Sequence, residues 1–329
     1  MPVTVAMYDK GLEHIGERLK ALDLDIKLAT FSKNGLYKID GADVTPADAA
    51  IDYLWLNSNI NLDNFQQGAF DIALATKSVG VLQTFNAGLD HPFYKKIAAN
   101  GTRICNSSAQ GVAIAEYVMA QVLSVVHPIQ PQRDLQAAKQ WKVTPFRELS
   151  QMNWLIAGFG PIGQEVATRV KAFGATTSVI RRSPSPSPVA DKVGTMADLK
   201  SFLPAADVIM LACSLNAATR GFADAGFFAS VKEGAILVNI ARGALIDDGA
   251  MIAALDNGRL ATAILDVFHE EPLPPADPLW SHPKVRVTAH TSFAGSGVRG
   301  RWDRLFLDNI SRFVKGEKLL CEVDPKDLV

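Results

Sequence analysis

The sequence predicts an α/β protein with two domains, each built on a parallel sheet, and three observations support this. The chain has 329 residues, whereas one domain usually holds about 100–200. Short apolar runs alternate with helix-like stretches along the chain, a pattern typical of parallel sheets with helices on their faces. Near the middle, a glycine-rich turn joins one apolar run to a helix.

The N-terminal third predicts a flavodoxin-like layout. Buried strands are predicted at residues 3–7, 25–31, 51–56 and 79–85. An amphipathic helix is predicted at 12–24, where apolar residues recur at helical spacing. Ligands of such sheets bind beyond the carboxyl ends of the strands. The last strand leads into Ala87-Gly88-Leu89, whose backbone N–H groups could hold a small carboxylate, although an ordinary glycine turn is the simpler interpretation.

Residues 106–126 form a long apolar stretch that predicts a helix. A helix that is apolar on most sides is buried on more than one of them, between domains or against a partner subunit. The polar stretch 130–150 connects it to the glycine-rich segment.

The glycine-rich segment predicts a dinucleotide site of the Rossmann type. A buried strand at 154–157 runs into Gly158-Phe159-Gly160-Pro161-Ile162-Gly163, and a helix at 164–173 and a second strand at 177–180 follow. In such a turn the first glycine permits the tight bend, the second lets the backbone approach a pyrophosphate, and the third allows close packing of helix on strand. The helix N-terminus attracts the negative charge. Strand, turn and helix are the context that this motif requires.

The end of the second strand favours NADP over NAD. An acidic residue at this position would bind the ribose hydroxyls of NAD, but the chain carries Arg181-Arg182-Ser183. Two guanidinium groups and a hydroxyl suit the 2′-phosphate of NADP, because arginine donates to phosphate in a planar, bidentate manner. The alternative is a solvated basic loop, which the Ser-Pro repeats at 183–188 would keep irregular.

Further strands predict a catalytic group at one edge of the second sheet. Strands are predicted at 206–212, 234–240, 260–265 and 285–288. Arg242, Glu271 and His290 follow the last three of these. An arginine can bind a carboxylate and its neighbouring carbonyl oxygen. A histidine held by a carboxylate has a raised pKa and a fixed tautomer, so it can exchange a proton with a carbonyl oxygen.

His269 is a second candidate proton donor, because it lies in the same segment as Glu271. The choice between these candidates follows from the family resemblance described next: within its motif at residues 266–272 the carboxylate is Glu271 rather than Glu270, and His290 is favoured over His269.

Together these motifs resemble the D-2-hydroxyacid dehydrogenases, the D-isomer-specific group, along nearly the whole chain. The motifs are Gly158-x-Gly160-x-x-Gly163, Asn239-Ile240-Ala241-Arg242-Gly243, Leu265-Asp266-Val267-Phe268-x-x-Glu271-Pro272 and Ala289-His290. The proline-rich residues 274–280 are similar to a turn of the family as well. Each motif is modestly specific, and their order and spacing make the resemblance strong.

The resemblance implies a role for each matching residue. Arg242 would bind the substrate carboxylate and carbonyl, His290 would be the acid/base, and Glu271 would orient it. Ala87, Gly88 and Leu89 would hold the substrate carboxylate through their amides. The resemblance also implies the cofactor site. It contains the glycine turn with Pro161 and Ile162, the residues Arg181, Arg182 and Ser183, and in addition Cys213, Ala241 and Asp266.

The resemblance also implies the domain organisation and the assembly. Residues 1–103 and 291–329 would form a discontinuous substrate-binding domain, with the dinucleotide domain 104–290 inserted. Residues 130–150 and the apolar helix before them correspond to the family's dimer contact, so a homodimer is implied.

The branch most similar to this chain is the NADPH-dependent glyoxylate/hydroxypyruvate reductases, on the arginine pair, the Glu116-Tyr117 step and residues 266–275. A small 2-oxo or 2-hydroxy acid is then the expected substrate, with NADP(H) preferred and NAD(H) usable. Two alternatives stay open: a phosphoglycerate-type dehydrogenase, and a dinucleotide-sensing, corepressor-like binding protein with little turnover. The chain departs from the family pattern at Asn86, Tyr117 and Ser214.

Composition excludes other classes of function. The net charge of −1 gives no basic field for nucleic acid. The apolar runs are shorter than a membrane span, and the N-terminus lacks the features of a signal peptide. Three scattered cysteines show no metal-ligand spacing and indicate a reducing compartment. We therefore expect a cytoplasmic protein without a metal site.

Overall fold

The computed structural model describes residues 2–328. The chain forms two compact units. The first contains the residues up to Gln110 and again those from Ser296 onward, and the second is the continuous segment Gly111–Gly295. Along the chain, the second unit is therefore an insertion into the first.

The two crossings between the units lie later in the chain than the predicted crossings after residues 103 and 290. Strand Arg103–Cys105 lies in the first unit because it extends the sheet of that unit. Residues 288–292 lie in the second unit because Asp266 binds the Thr288 hydroxyl and the backbone N–H groups of Thr291 and Ser292.

The first unit contains a seven-stranded sheet in the order β4-β3-β2-β1-β5-β6-β7. Its strands are β1 (Val3–Tyr8), β2 (Ile26–Phe31), β3 (Tyr37–Ile39), β4 (Ala42–Val44), β5 (Ala50–Leu56), β6 (Ser78–Thr84) and β7 (Arg103–Cys105). All are parallel except β3 and β4, which form an antiparallel hairpin at one edge. The hairpin turns at Asp40-Gly41, both with positive φ. Asp-Gly is a strong hairpin signal, so this hairpin could have been predicted from the sequence, although it was not.

Helices cover the first sheet. Before the insertion they are α1 (Asp9–Lys20), α2 (Asn59–Leu62), α3 (Gln66–Ala75) and α4 (Pro92–Ala99). Helix α1 buries Gly11, Ile15 and Leu19, four residues apart, on one side. It ends earlier than predicted, because Ala21 and Leu22 form a turn and Asp23 is left-handed (φ 49°).

The second unit contains a fully parallel seven-stranded sheet in the order β10-β9-β8-β11-β12-β13-β14. Its strands are β8 (Asn153–Ala157), β9 (Thr176–Ile180), β10 (Lys192–Gly194), β11 (Val208–Leu211), β12 (Ala235–Asn239), β13 (Leu260–Leu265) and β14 (Val285–Val287). The strand order reverses between β8 and β11. In parallel sheets, ligands bind beyond the carboxyl ends of the strands at such a switch point.

Strand β8 is buried on both faces. Leu155 and Ala157 belong to the core cluster on one face of the sheet, and Trp154 and Ile156 belong to the cluster on the other. Because neighbouring side chains of a strand point to opposite faces, a strand covered on both sides is a continuous apolar run, as residues 154–157 are.

The helices of the second unit are α5 (Gly111–Val126), α6 (Ile129–Ala137), α7 (Pro161–Ala172), α8 (Leu199–Phe202), α9 (Ala225–Ser230) and α10 (Asp248–Asp256), and α11 (Val298–Val314) returns to the first unit. Helix α5 begins later than predicted, because the backbone N–H groups of Asn106 and Ser107 bind the carbonyls of Cys321 and Asn86. Within residues 2–328, no single helix is long and apolar enough to cross a membrane. Helices α5 and α6 reach that length and composition only as a pair, bent by 56° at the break between them.

Candidate active site

The glycine turn between β8 and α7 lies at the switch point of the second sheet. Gly158 has a φ of 108°, and a Cβ there would overlap the backbone of Ala212 and Cys213, which follow β11. A Cβ on Gly163 would overlap the carbonyl oxygen of Gly158. A Cβ on Gly160 would meet no atom within 4 Å. Two of the glycines are therefore required by packing inside the protein, and Gly160 faces open space.

Helix α7 begins at this open space. Gly160 precedes it and provides no side-chain cap, and Pro161 is its first residue. The first N–H groups of a helix have no partner within the helix and carry partial positive charge. A bare backbone with N–H groups facing open space fits a pyrophosphate.

The residues after β9 bring an arginine next to the same turn. The guanidinium carbon of Arg181 lies 5.8 Å from the centroid of the Phe159 ring, a cation–π distance. Its Nη1 donates to the carbonyl oxygen of Ser185 at 3.4 Å. Arg182 and Ser183 are exposed. The contact between Phe159 and Arg181 was not predicted from the sequence, where Phe159 is only a variable position of the glycine motif.

Cys213 follows β11 on the other side of the switch point. It is half-buried, and burial raises the pKa of its thiol to about 11, so the side chain is a neutral thiol at ordinary pH. Its backbone N lies against Gly158.

After β12, a buried amide organises the turn that carries Arg242. The Asn239 side chain is fully buried; its Nδ2 donates to the carbonyl oxygen of Arg242 at 2.8 Å, and its Oδ1 accepts from the N–H of Ala241 at 3.0 Å. Arg242 Nη1 donates to the carbonyl oxygen of Ala241 at 2.6 Å. The positioning role of Asn239 was not predicted, although the residue opens the Asn239–Gly243 motif.

Gly243 brings two loops together. A Cβ on it would overlap the backbone of Phe268 and His269. The loop after β12 therefore lies against the loop after β13, and Arg242 directly precedes the glycine that makes this contact.

His290 and Glu271 form a pair. Nδ1 of His290 lies 2.7 Å from Oε2 of Glu271, and Oε1 of Glu271 accepts the backbone N–H of Phe268 at 2.9 Å. A carboxylate only accepts hydrogen bonds, so Nδ1 donates and Nε2 is left to exchange a proton. The His290 side chain is 41% exposed, and the Phe293 ring lies edge-on to it, with ring centroids 6.3 Å apart.

Asp266 anchors the loop that carries His290. Its carboxylate is fully buried and accepts from the Thr288 hydroxyl at 2.6 Å and from the N–H groups of Thr291 and Ser292 at 2.8 and 2.9 Å. Its carbonyl oxygen accepts the N–H of His290 at 2.8 Å. These side-chain partners lie on both sides of His290. The implied place of Asp266 in the cofactor site stays a prediction.

His269 has a different environment. Its Nε2 lies 2.9 Å from the carbonyl oxygen of Ile246 and 3.7 Å from Asp248. Because a carbonyl oxygen only accepts, this nitrogen donates to it. Burial raises the pKa of Asp248, an effect that His269 opposes. His269 is thus bound to the loop after Gly243, whereas Glu271 binds His290.

The turn Ala87-Gly88-Leu89 belongs to the first unit, where it follows β6. Its residues are half-buried. The carbonyl oxygen of Ala87 accepts from Asn106 Nδ2 at 2.8 Å. Asn86, which departs from the family pattern, donates its amide to the Tyr94 hydroxyl at 2.7 Å. Its side chain therefore stabilises the turn from within the unit.

The chain is similar to known proteins in sequence and in structure. Residues 119–292, more than half of the chain, match the family model described as "D-isomer specific 2-hydroxyacid dehydrogenase, NAD binding domain". The chain is 30% identical over 221 residues to glyoxylate/hydroxypyruvate reductase A of Salmonella heidelberg (strain SL476), covering 66% of this chain and 69% of that protein. It is 28% identical over 258 residues to glyoxylate/hydroxypyruvate reductase A of Klebsiella pneumoniae (strain 342), covering 78% and 82%.

A solved structure has the same fold. It is an NADPH-dependent glyoxylate/hydroxypyruvate reductase from Sinorhizobium meliloti in complex with NADP and sulfate. The TM-score is 0.76 at 23% identity, with 99% of this chain and 100% of that chain covered. The family match, these relatives and the two parallel-sheet units all indicate the same family. The chain belongs to the D-isomer specific 2-hydroxyacid dehydrogenase family of NAD(P)-dependent oxidoreductases.

Proposed function

We propose that this chain is an NADPH-dependent reductase of a small 2-oxo acid of the glyoxylate or hydroxypyruvate type. The observation that carries the proposal is the His290–Glu271 pair, 2.7 Å apart, on the loops that follow the last two strands of the second sheet. The glyoxylate/hydroxypyruvate reductases among the relatives support the substrate class.

His290 gives a proton from Nε2 to the carbonyl oxygen of the substrate. Glu271 accepts from Nδ1 and thereby fixes the tautomer and stabilises the charged imidazole. Arg242 binds the substrate carboxylate and stabilises negative charge that develops on the carbonyl oxygen. The reduced nicotinamide, when bound, supplies the hydride to the carbonyl carbon. The Ala87–Leu89 amides are proposed as a further carboxylate contact.

The nucleotide is held by backbone at Gly158, Gly160 and Gly163 and by side chains after β9. Arg181, with Arg182 and Ser183, binds the 2′-phosphate of NADP, which gives the preference for NADPH over NADH. Gly160 supports the placement of the nucleotide against the backbone of the glycine turn, because it faces open space at the start of α7. The remaining cofactor contacts proposed are Pro161, Ile162, Cys213, Ala241 and Asp266.

The active protein is proposed to be a homodimer. Trp141 is fully exposed and Val143 is 85% exposed in the loop after α6. Nearby, Phe146 stacks on His127 with ring centroids 4.1 Å apart and is itself half exposed. Apolar side chains that are exposed together mark interaction sites, and a second copy of the chain is the occupant we propose. The cytoplasmic location stays a prediction.

Cofactor oxidation tests this function most simply. NADPH and NADH are compared in parallel by absorbance against a panel of 2-oxo acids. We expect rapid NADPH oxidation with glyoxylate or hydroxypyruvate and slower oxidation of NADH. If neither cofactor is oxidised with any acid of the panel while NADPH binds tightly, the proposal of a reductase of small 2-oxo acids is wrong, and a dinucleotide sensor or an enzyme of a larger acid takes its place.

A further inference from the structure

We propose that Tyr117 and Thr288 are positioning residues for His290 and act on it through Asp266, an inference that rests on the proposed reductase function. Tyr117 lies on helix α5, and its hydroxyl oxygen is 2.6 Å from Oγ1 of Thr288. Thr288 Oγ1 is in turn 2.6 Å from Oδ1 of Asp266. These side chains form a continuous chain of hydrogen bonds from the helix to the loop that carries His290.

The direction of these hydrogen bonds follows from the number of protons available. Asp266 accepts from two backbone N–H groups, those of Thr291 and Ser292, so its oxygens act as acceptors. The single hydroxyl proton of Thr288 is therefore directed to Asp266. Because that proton is used, Tyr117 must donate to Thr288. Burial raises the pKa of Tyr117, which keeps the phenol protonated as a donor.

The chain reaches His290 through the backbone. Asp266 binds Thr288 on one side of His290 and Thr291 on the other, and its carbonyl oxygen accepts the N–H of His290 at 2.8 Å. His290 has a φ of 47°, in the left-handed region that non-glycine residues rarely adopt. Such a conformation persists only where the surroundings over-determine it. Tyr117 and Thr288 contribute to those surroundings.

The consequence for catalysis is geometric. The imidazole must keep Nδ1 on Glu271, at 2.7 Å, while Nε2 faces the substrate. A loop that relaxes would loosen this orientation, and misplacement of a reacting group by about 1 Å costs about a hundredfold in rate. Removing the outermost hydrogen bond of the chain would relax the loop only in part.

Kinetics of matched variants test the proposal. Tyr117→Phe and Thr288→Val each remove one hydroxyl with little change in shape, and Thr288→Ser keeps the hydroxyl. We expect kcat for 2-oxo acid reduction to fall by about tenfold in the first two variants, with NADPH affinity unchanged, and to stay near that of the wild type in Thr288→Ser. Equal losses in Thr288→Val and Thr288→Ser would overturn the proposal, because the hydroxyl would then not matter.

A double-mutant cycle separates positioning from general destabilisation. In a His290→Ala background, Tyr117→Phe should cause no further loss of kcat, since there is no imidazole left to position. If it lowers kcat by the same factor in both backgrounds, Tyr117 acts elsewhere in the protein and the proposal is wrong.

A spectroscopic measurement does not depend on turnover. The Nδ1 proton of His290 bound to Glu271 is expected to give a downfield proton NMR signal, identified by its absence in His290→Ala. The signal should be retained in Thr288→Ser and shifted or broadened in Tyr117→Phe and Thr288→Val. An unchanged signal in both of the latter would contradict the proposal. If the signal responds but the wild type reduces no 2-oxo acid, the positioning stands and the proposed function fails.

Discussion

Replacing Glu271 by glutamine is expected to lower kcat for 2-oxo acid reduction by about ten- to thirtyfold. Oε2 of Glu271 lies 2.7 Å from Nδ1 of His290, and Oε1 accepts the N–H of Phe268 at 2.9 Å. Glutamine has nearly the same shape and can keep the bond to Phe268 through its carbonyl oxygen. Its NH₂ group then faces Nδ1. The substitution therefore removes the negative charge and the acceptor but leaves the loop packed.

The magnitude follows from the geometry and exposure of the pair. A hydrogen bond to a charged group contributes about 1.5–3 kcal/mol. The side chains of His290 and Glu271 are 41% and 36% exposed, and solvent screening favours the lower part of that range. A loss of about 1.5–2 kcal/mol in the transition state lowers the rate by about ten- to thirtyfold. The affinity for NADPH should not change, because the glycine turn follows β8 and Glu271 follows β13.

The assay is steady-state NADPH oxidation at saturating 2-oxo acid, with NADPH affinity measured separately by fluorescence titration. Glu270→Gln is the matched control, since Glu270 is an exposed carboxylate in the same segment. The reasoning is refuted if Glu271→Gln keeps the kcat of the wild type, or if Glu270→Gln loses as much.

Four other predictions concern the nucleotide site and the assembly. Arg181→Asp should weaken NADPH binding by at least about tenfold and NADH binding far less, because a charged contact with the 2′-phosphate is lost; equal losses would place the phosphate elsewhere. Gly158→Ala should lower the free energy of unfolding by about 1–3 kcal/mol, because its φ of 108° and the adjacent backbone exclude a Cβ. Gly160→Ala should unfold like the wild type, since its Cβ meets no protein atom within 4 Å. It should bind NADPH more weakly, because the added Cβ would occupy the open space in which we propose the nucleotide. Thermal unfolding and fluorescence titration together distinguish the two glycines. If the exposed loop is the contact of the proposed homodimer, Trp141→Ser should lower the mass measured by light scattering toward that of a monomer, whereas an unchanged dimeric mass would exclude this loop as the contact.

Six of the seven strands of the second sheet were predicted to within two residues at each end, whereas the short edge strand β10 (Lys192–Gly194) was not predicted. Strand β13 (Leu260–Leu265) has the predicted bounds, and β8 (Asn153–Ala157) differs by one residue. Strands buried on both faces are continuous apolar runs with abrupt ends, so their limits can be read from composition. Helix ends were less well predicted: α7 begins at Pro161 rather than at residue 164, because apolar spacing does not show where a helix starts.

The candidate site was predicted only as far as it follows strand ends. Arg242, Glu271 and His290 could be placed because parallel strands bring their carboxyl ends to one edge. The bond between Tyr117 and Thr288 joins residues 171 positions apart, and no local pattern of a sequence shows which distant hydroxyls meet. The role of Asn239 was hidden for a different reason: its partners are backbone atoms of its own turn, and these carry no signal in the sequence.

The central claim is that His290 donates the proton during reduction of a 2-oxo acid by NADPH. Single-turnover oxidation of NADPH by glyoxylate, followed by absorbance in the wild type and in His290→Ala, tests it most directly. We expect fast oxidation in the wild type and a loss of about a hundredfold or more in the variant, with NADPH affinity unchanged, because the proton donor is lost while the nucleotide site remains. A variant that oxidises NADPH at nearly the rate of the wild type would contradict the account and would make His269 the candidate donor.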